Sequence, residues 1–215
     1  MPAEINYLID GHKKFRQRYF EQDPTLYESL VKYGQQPRYI VIACSDSRVD
    51  PSIVMNCQPG DLFVIRNVAN LVPPCEMDSH YHGTSAALEF GICSLGIRHV
   101  IILGHSQCSG ITALLEYNKG NKTFEKSSFL SKWMELASPA SDYTLKNYQD
   151  HTLPEQVDIC GKHSILHSLN NLNTFSWVKR RVENGSLFLH AWYFDLSTGK
   201  INFFNHERQQ FEILS

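Results

Sequence analysis

The sequence holds no long apolar run. No stretch approaches the roughly 18 consecutive apolar residues that read as a membrane span, so a membrane partner is not expected. Charge of one sign is also missing. Lys and Arg number 20 against 22 Asp and Glu, a net charge of −2, with no basic block. A nucleic-acid surface or a polybasic lipid anchor is therefore not expected. The first residues, Met1-Pro2-Ala3-Glu4-Ile5-Asn6-Tyr7, show neither a basic start nor an apolar core. They do not read as an export signal, and the expected compartment is the cytoplasm. There is no internal repeat and no low-complexity tract. What is present is ordinary globular composition, 42% hydrophobic and 20% charged over 215 residues, enough for a single domain with a sizeable core.

Hydrophobic patterning gives the fold class. Residues 5–33 read as helical, broken at Asp23-Pro24, with a second helix over 25–33 stopping at Gly34. We take 1–34 as an N-terminal helical arm on one domain spanning 1–215. Short apolar runs at 38–43, 62–65 and 99–103 read as buried strands, and 84–95, 110–117 and 128–136 as helices. Residues 118–160 are otherwise polar and read mostly as loop; 165–182 reads as one helix. Two closing strands, 187–195 and 200–205, flank the turn Ser197-Thr198-Gly199. Apolar strands alternating with helices specify an α/β fold. Its central, mostly parallel sheet is flanked by helices and bears an antiparallel hairpin at its C-terminal edge.

Six cysteines require a decision: Cys44, Cys57, Cys75, Cys93, Cys108 and Cys160. In a chain of this size without an export signal, reduced thiols are the expected state. Cys57, Cys75, Cys93 and Cys160 read as packing residues. Cys44 and Cys108 stand in polar motifs that follow predicted strands, Cys44-Ser45-Asp46-Ser47-Arg48 and Gly104-His105-Ser106-Gln107-Cys108-Ser109-Gly110. Ligands gather beyond the carboxyl ends of parallel strands. If these strands are neighbours, Cys44, His105 and Cys108 converge. Two thiolates and an imidazole suit zinc, at about 2.3 Å for sulfur and 2.0–2.1 Å for nitrogen. Three protein ligands rather than four leave a position for water, as in catalytic sites.

The formal charges then matter. Zinc with two thiolates is neutral and acidifies water less than zinc held by neutral ligands. Asp46 is placed to accept a hydrogen bond from the zinc-bound hydroxide and aim it, and Arg48 to hold Asp46 ionised in a bidentate pair. His80 and His82 read either as solvated loop residues or as a relay for an outgoing proton.

These two motifs resemble those of the β-carbonic anhydrase family, plant-like branch. The likeness continues through the segment from Gln58-Pro59-Gly60-Asp61 to Leu71-Val72-Pro73-Pro74, through Gly83-Thr84-Ser85-Ala86-Ala87-Leu88-Glu89-Phe90, and in Leu189-His190-Ala191-Trp192. The resemblance implies one zinc per chain on Cys44, His105 and Cys108. It implies reversible hydration of carbon dioxide to bicarbonate and a proton, and a small apolar pocket at the interface of a homodimer or higher homo-oligomer. It assigns substrate positions to Gln35, Phe63 and Phe90. The last stands where the branch has tyrosine, so a hydroxyl is missing. Val41 replaces a tryptophan tied to an inhibitory bicarbonate site in some bacterial members, which points to the open-site subtype with water as fourth ligand. Two alternatives share these residues: hydrolysis of carbonyl sulfide or carbon disulfide, and a non-catalytic zinc domain.

Overall fold

The computed structural model describes residues 3–78, 80–121 and 128–214. It separates into two compact units, 1–36 and 37–215. The first contains α1 (Asn6–Arg16), a wide π-type continuation over Gln17–Gln22, and α2 (Thr25–Tyr33). The break falls at Asp23-Pro24, as the sequence predicts, and the Asp23 carboxylate accepts from the Thr25 hydroxyl at 2.5 Å. Phe15, Tyr19, Phe20 and Tyr27 gather their rings within this unit, with centroids 4.7–6.1 Å apart.

The second unit is built on a six-stranded sheet in the order β2-β1-β3-β4-β5-β6. The strands are β1 (Tyr39–Cys44), β2 (Leu62–Asn67), β3 (His99–His105), β4 (Phe188–Phe194), β5 (Ile201–Asn205) and β6 (Gln210–Ile213). Strands β2, β1, β3 and β4 are mutually parallel, and β5 and β6 close the sheet antiparallel. The final strand β6 was not legible. It makes the C-terminal edge a meander rather than a single hairpin.

The helices of this unit are α3 (Pro51–Val54), α4 (Gly83–Glu89), α5 (Ser109–Asn118), α6 (Phe129–Met134), α7 (Ser138–Asn147), α8 (Leu153–Leu172) and α9 (Ser176–Glu183). The main core lies between one sheet face and α4, α8 and α9. Ile40, Ile42, Val100, Ile102 and Ala191 meet Leu88, Ile92, Ile165, Leu169 and Val178 there.

Two expectations are corrected. The helix expected over 165–182 is two helices parted at 173–175, where Thr174 N–H and its hydroxyl both turn back onto the Asn171 carbonyl. The stretch expected to be loop after 136 holds α7 and the first half of α8. Residues 122–127 of the polar stretch lie outside the described residues.

Candidate metal centre

Strand order places the two motifs together. β1 and β3 are neighbours in register, Ala43 opposite Leu103, so both chains leave the sheet at the same end. Beyond that end, Cys44, His105 and Cys108 are all buried, and their ligand atoms lie within 4.8 Å of one another. The two sulfurs are 4.0 Å apart.

Each ligand is fixed by its neighbours. The His105 Nδ1–H donates to the Ser106 carbonyl at 2.8 Å, which sets the tautomer and leaves Nε2 with a lone pair. That Nε2 is buried and has no hydrogen-bond partner. A buried, unpartnered imidazole nitrogen facing two thiols is costly unless something is bound there. Ser106 is itself anchored. Its N–H donates to Phe194 O and its hydroxyl accepts from Leu196 N–H, both at 2.9 Å, tying the turn to the end of β4. Gln107 then takes a left-handed conformation, φ 56°, which lets Cys108 cap α5.

Backbone N–H groups near each sulfur favour its thiolate, those of Gly110 and Ile111 at Cys108 and those of Asp46 and Ala69 at Cys44. Ala69 takes a left-handed backbone, φ 63°, strain that the surrounding turn must hold. Asn67 holds it, donating to Leu71 O and accepting from Leu71 N–H, each at 2.9 Å. A Cβ at Gly110 would lie 3.0 Å from Val68 Cγ1 and 3.4 Å from Ala69 Cβ, so glycine suits the close packing here. The hydrogen bond from Cys108 lowers the Cys44 thiol's pKa, against the effect of burial. Holding that bond, burial and repulsion from Cys44 raise that of Cys108. A divalent ion bound here would favour both thiolates. The residues fit zinc: soft donors, one free imidazole lone pair, and second contacts that orient each ligand.

Asp46 stands beside this trio. Arg48 grips it from Nε to Oδ1 at 2.9 Å and from Nη2 to Oδ2 at 2.7 Å, and the Arg48 backbone N–H adds 2.9 Å to Oδ1. This pairing holds the carboxyl well below the usual carboxylate range. Arg48 also donates to Gln107 O at 3.2 Å, so it joins the two motif loops.

Arg66 was given no role in the sequence reading. It spans the first loop from beneath, donating to Cys44 O at 3.0 Å, Asp46 O at 2.7 Å and the Asp50 carboxylate at 3.0 Å. Its signal was an arginine near the end of an otherwise apolar strand. A cleft of about 510 Å³ opens over the site, lined by Cys44, Ser45, Asp46, Ser47, Arg48, Val68, Ser109 and Gly110.

Phe63 and Phe90 do not line this cleft. Phe63 and Phe90 lie together with their rings tilted by 37° and centroids 6.1 Å apart. Phe63 pairs with Ile40, four residues before Cys44, which puts it about 13 Å down the sheet at a strand rise of roughly 3.3 Å per residue. Gln35 is exposed in the first unit. Among the other cysteines, burial pushes Cys160 up to about 12, which suits an inert packing thiol. Cys93 is exposed, contrary to its expected packing role. His190 has its Nε2 3.2 Å from Nδ1 of His99.

Residues 39–201 match the family model described as Carbonic anhydrase. The chain is similar to Beta carbonic anhydrase 3 of Arabidopsis thaliana, 34% identical over 91% of this chain and 74% of that protein. It is 36% identical to a carbonic anhydrase of Synechocystis sp., over 90% of this chain and 69% of the relative. Its fold superimposes on the β-carbonic anhydrase CcaA with a TM-score of 0.90 at 32% identity, covering 99% of this chain and 100% of that one. A solved β-carbonic anhydrase of Sordaria macrospora, 24% identical, shares the fold with a TM-score of 0.82 over 94% of this chain and 97% of that one.

Proposed function

This chain belongs to the β-carbonic anhydrase family of zinc enzymes that interconvert carbon dioxide and bicarbonate, and from that premise we propose how its own residues divide the work. Cys44, His105 and Cys108 would hold the ion. The observation that carries this is the buried, unpartnered Nε2 of His105 within 4.8 Å of both sulfurs. Zinc in this position supplies Lewis acidity, bringing the ionisation of water toward neutral pH.

Asp46 acts as acceptor and aimer. Arg48 places two donors on Oδ1 and one on Oδ2, and an ionised carboxylate offers about four acceptor positions, so one on Oδ2 remains for water in the cleft. Water donating to Asp46 has its free lone pair turned away from the carboxylate, toward the carbon it attacks. Arg48 keeps Asp46 ionised and, through Gln107 O, keeps it in register with the His105–Cys108 turn. The same grip supports the open-site subtype, in which Asp46 stays with Arg48 rather than turning to the metal. Val68 gives the cleft an apolar wall suited to an uncharged, linear substrate.

Phe63, Phe90 and Gln35 are proposed substrate positions supplied across an interface with a second copy. The distance of Phe63 from its own Cys44 supports that reading, and so does the exposure of Phe90, 46%. A homodimer or higher homo-oligomer follows. Among the described residues no helix is long and apolar enough to cross a membrane. The cytoplasm is the proposed compartment; all six cysteines are free, as reducing conditions would keep them.

Turnover of carbon dioxide and of carbonyl sulfide by the same zinc-loaded preparation tests the substrate. Carbon dioxide hydration should exceed carbonyl sulfide hydrolysis by orders of magnitude. The reverse ratio would assign the site to sulfur analogues.

A further inference from the structure

Each hydration releases a proton that must leave the cleft. Asp46 is engaged by Arg48 through three hydrogen bonds, which leaves the carrying of that proton to other groups. A second space adjoins the cleft. It is a groove of about 880 Å³, lined by Asn67, Val68, His82, Thr84, Trp133 and Leu136 among others. At about 30 Å³ per molecule, that volume holds a water chain with room to spare. Val68 borders both spaces. Its carbonyl accepts from Trp133 Nε1 at 2.8 Å, so the dividing turn is held in place.

His82 sits on the groove immediately before α4, and its carbonyl accepts the first hydrogen bond of that helix, from Ala86 N–H at 2.9 Å. Two residues on, Thr84 lies 3.4 Å from Asn67 Nδ2, and Asn67 is the register partner of Cys44. His82 is thus fixed close to the metal end of the sheet without touching a ligand. Its Nε2 lies 2.7 Å from Asp78 Oδ1. Asp78 is held well below the usual carboxylate range, chiefly by that bond, so it accepts and Nε2 carries the hydrogen. Neutral His82 therefore has Nδ1 as its free base. The other Asp78 oxygen is 3.1 Å from His80 Nδ1. The His82 side chain is 28% exposed and that of His80 81%, an inner and an outer imidazole on one carboxylate. Among the described residues, Glu76, Tyr81, Lys132 and Glu135 are the other titratable groups lining the groove.

We propose that His82, oriented by Asp78, takes the product proton from groove water and passes it, through His80 or directly, to buffer. The cycle balances. Water and carbon dioxide give bicarbonate and a proton; His82 Nδ1 binds that proton and loses it to a buffer base, ending neutral. This rests on the hydration reading above and concerns only how its proton leaves.

The test is carbon dioxide hydration by zinc-loaded His82→Ala, with Asp78→Asn alongside, across a series of buffer concentrations. In dilute buffer kcat should fall about tenfold, short of the roughly 10²-fold or greater loss expected for a group acting in the chemical step itself. The ratio kcat/KM should hold, and added imidazole should restore kcat. Unchanged kcat in dilute buffer would overturn the relay, and so would kcat and kcat/KM falling together without imidazole rescue. Both leave the parent's activity intact, whereas a parent inactive in every buffer would instead overturn the hydration reading.

Discussion

Strand β3 begins at His99 and ends at His105, and the two histidines have opposite fates. At the first end, His99 stacks on Phe188 with centroids 5.1 Å apart, and its Nδ1 meets His190 Nε2 at 3.2 Å. One of those nitrogens donates and the other accepts. At the other end, His105 has one nitrogen engaged and one unpartnered, facing two sulfurs. Burial alone does not make a histidine a ligand. What separates the two ends is whether a lone pair is left over with soft donors beside it. The glycine before His105 and the left-handed Gln107 after it supply the geometry that His99 lacks.

The sharpest way to break this contrast is to remove each histidine in turn. His105→Ala should cost about 10⁴-fold or more in hydration, roughly 5 kcal/mol of barrier, with zinc content falling in parallel. His99→Ala should keep its zinc and its turnover. Metal analysis with stopped-flow assay separates them, and equal losses would erase the distinction.

Asp46→Asn sharpens the account at the metal end. Amide for carboxylate removes the charge that Arg48 grips, so turnover should drop about 10²- to 10³-fold while the zinc content stays near one per chain. Unchanged turnover would take Asp46 out of the mechanism.

Gly104→Ala tests the packing beneath His105. The new Cβ would lie 2.6 Å from Ile165 Cδ1 and 3.0 Å from its Cγ1, so the Ile165 side chain must shift in a fully buried site. A loss of about 2 kcal/mol in unfolding free energy is expected, read by denaturant titration. The corresponding overpacking is absent at the His99 end, where the strand is more exposed.

The smallest effect concerns pH. Burial lowers the His190 pKa from 6.5, with repulsion from His99 and His206 adding to it. The folded form therefore binds this proton more weakly than the unfolded chain. Stability from this group is full above about pH 6.5 and is lost as pH falls toward the lower folded value. His190→Asn should flatten that part of the stability profile; an unchanged slope would assign it elsewhere.

The metal trio was legible because its chemistry is local. Cys44 and the His105–Cys108 turn each follow an apolar run whose period marks a strand end, and adjacency of β1 and β3 did the rest. Arg66 was not, since its partners are two backbone carbonyls and a carboxylate that only the folded loop brings together. Helix α8 escaped in its first half for another reason. There it buries Gln156 and Gly161 beside Val157 and Cys160, so it has no clean apolar stripe. The single helix expected over 165–182 failed at Asn173-Thr174, where side-chain bonds to the backbone compete with helical ones. Asp78 between two imidazoles could not have been inferred from sequence spacing alone, which left His80 and His82 as either loop residues or a relay.

The most direct test of the central claim is stopped-flow hydration of carbon dioxide by the zinc-loaded protein, repeated after chelation and after zinc is returned. The account predicts fast hydration that rises with pH, disappears with the metal and comes back with it. One zinc per chain with no hydration at any pH from neutral to mildly alkaline would contradict it.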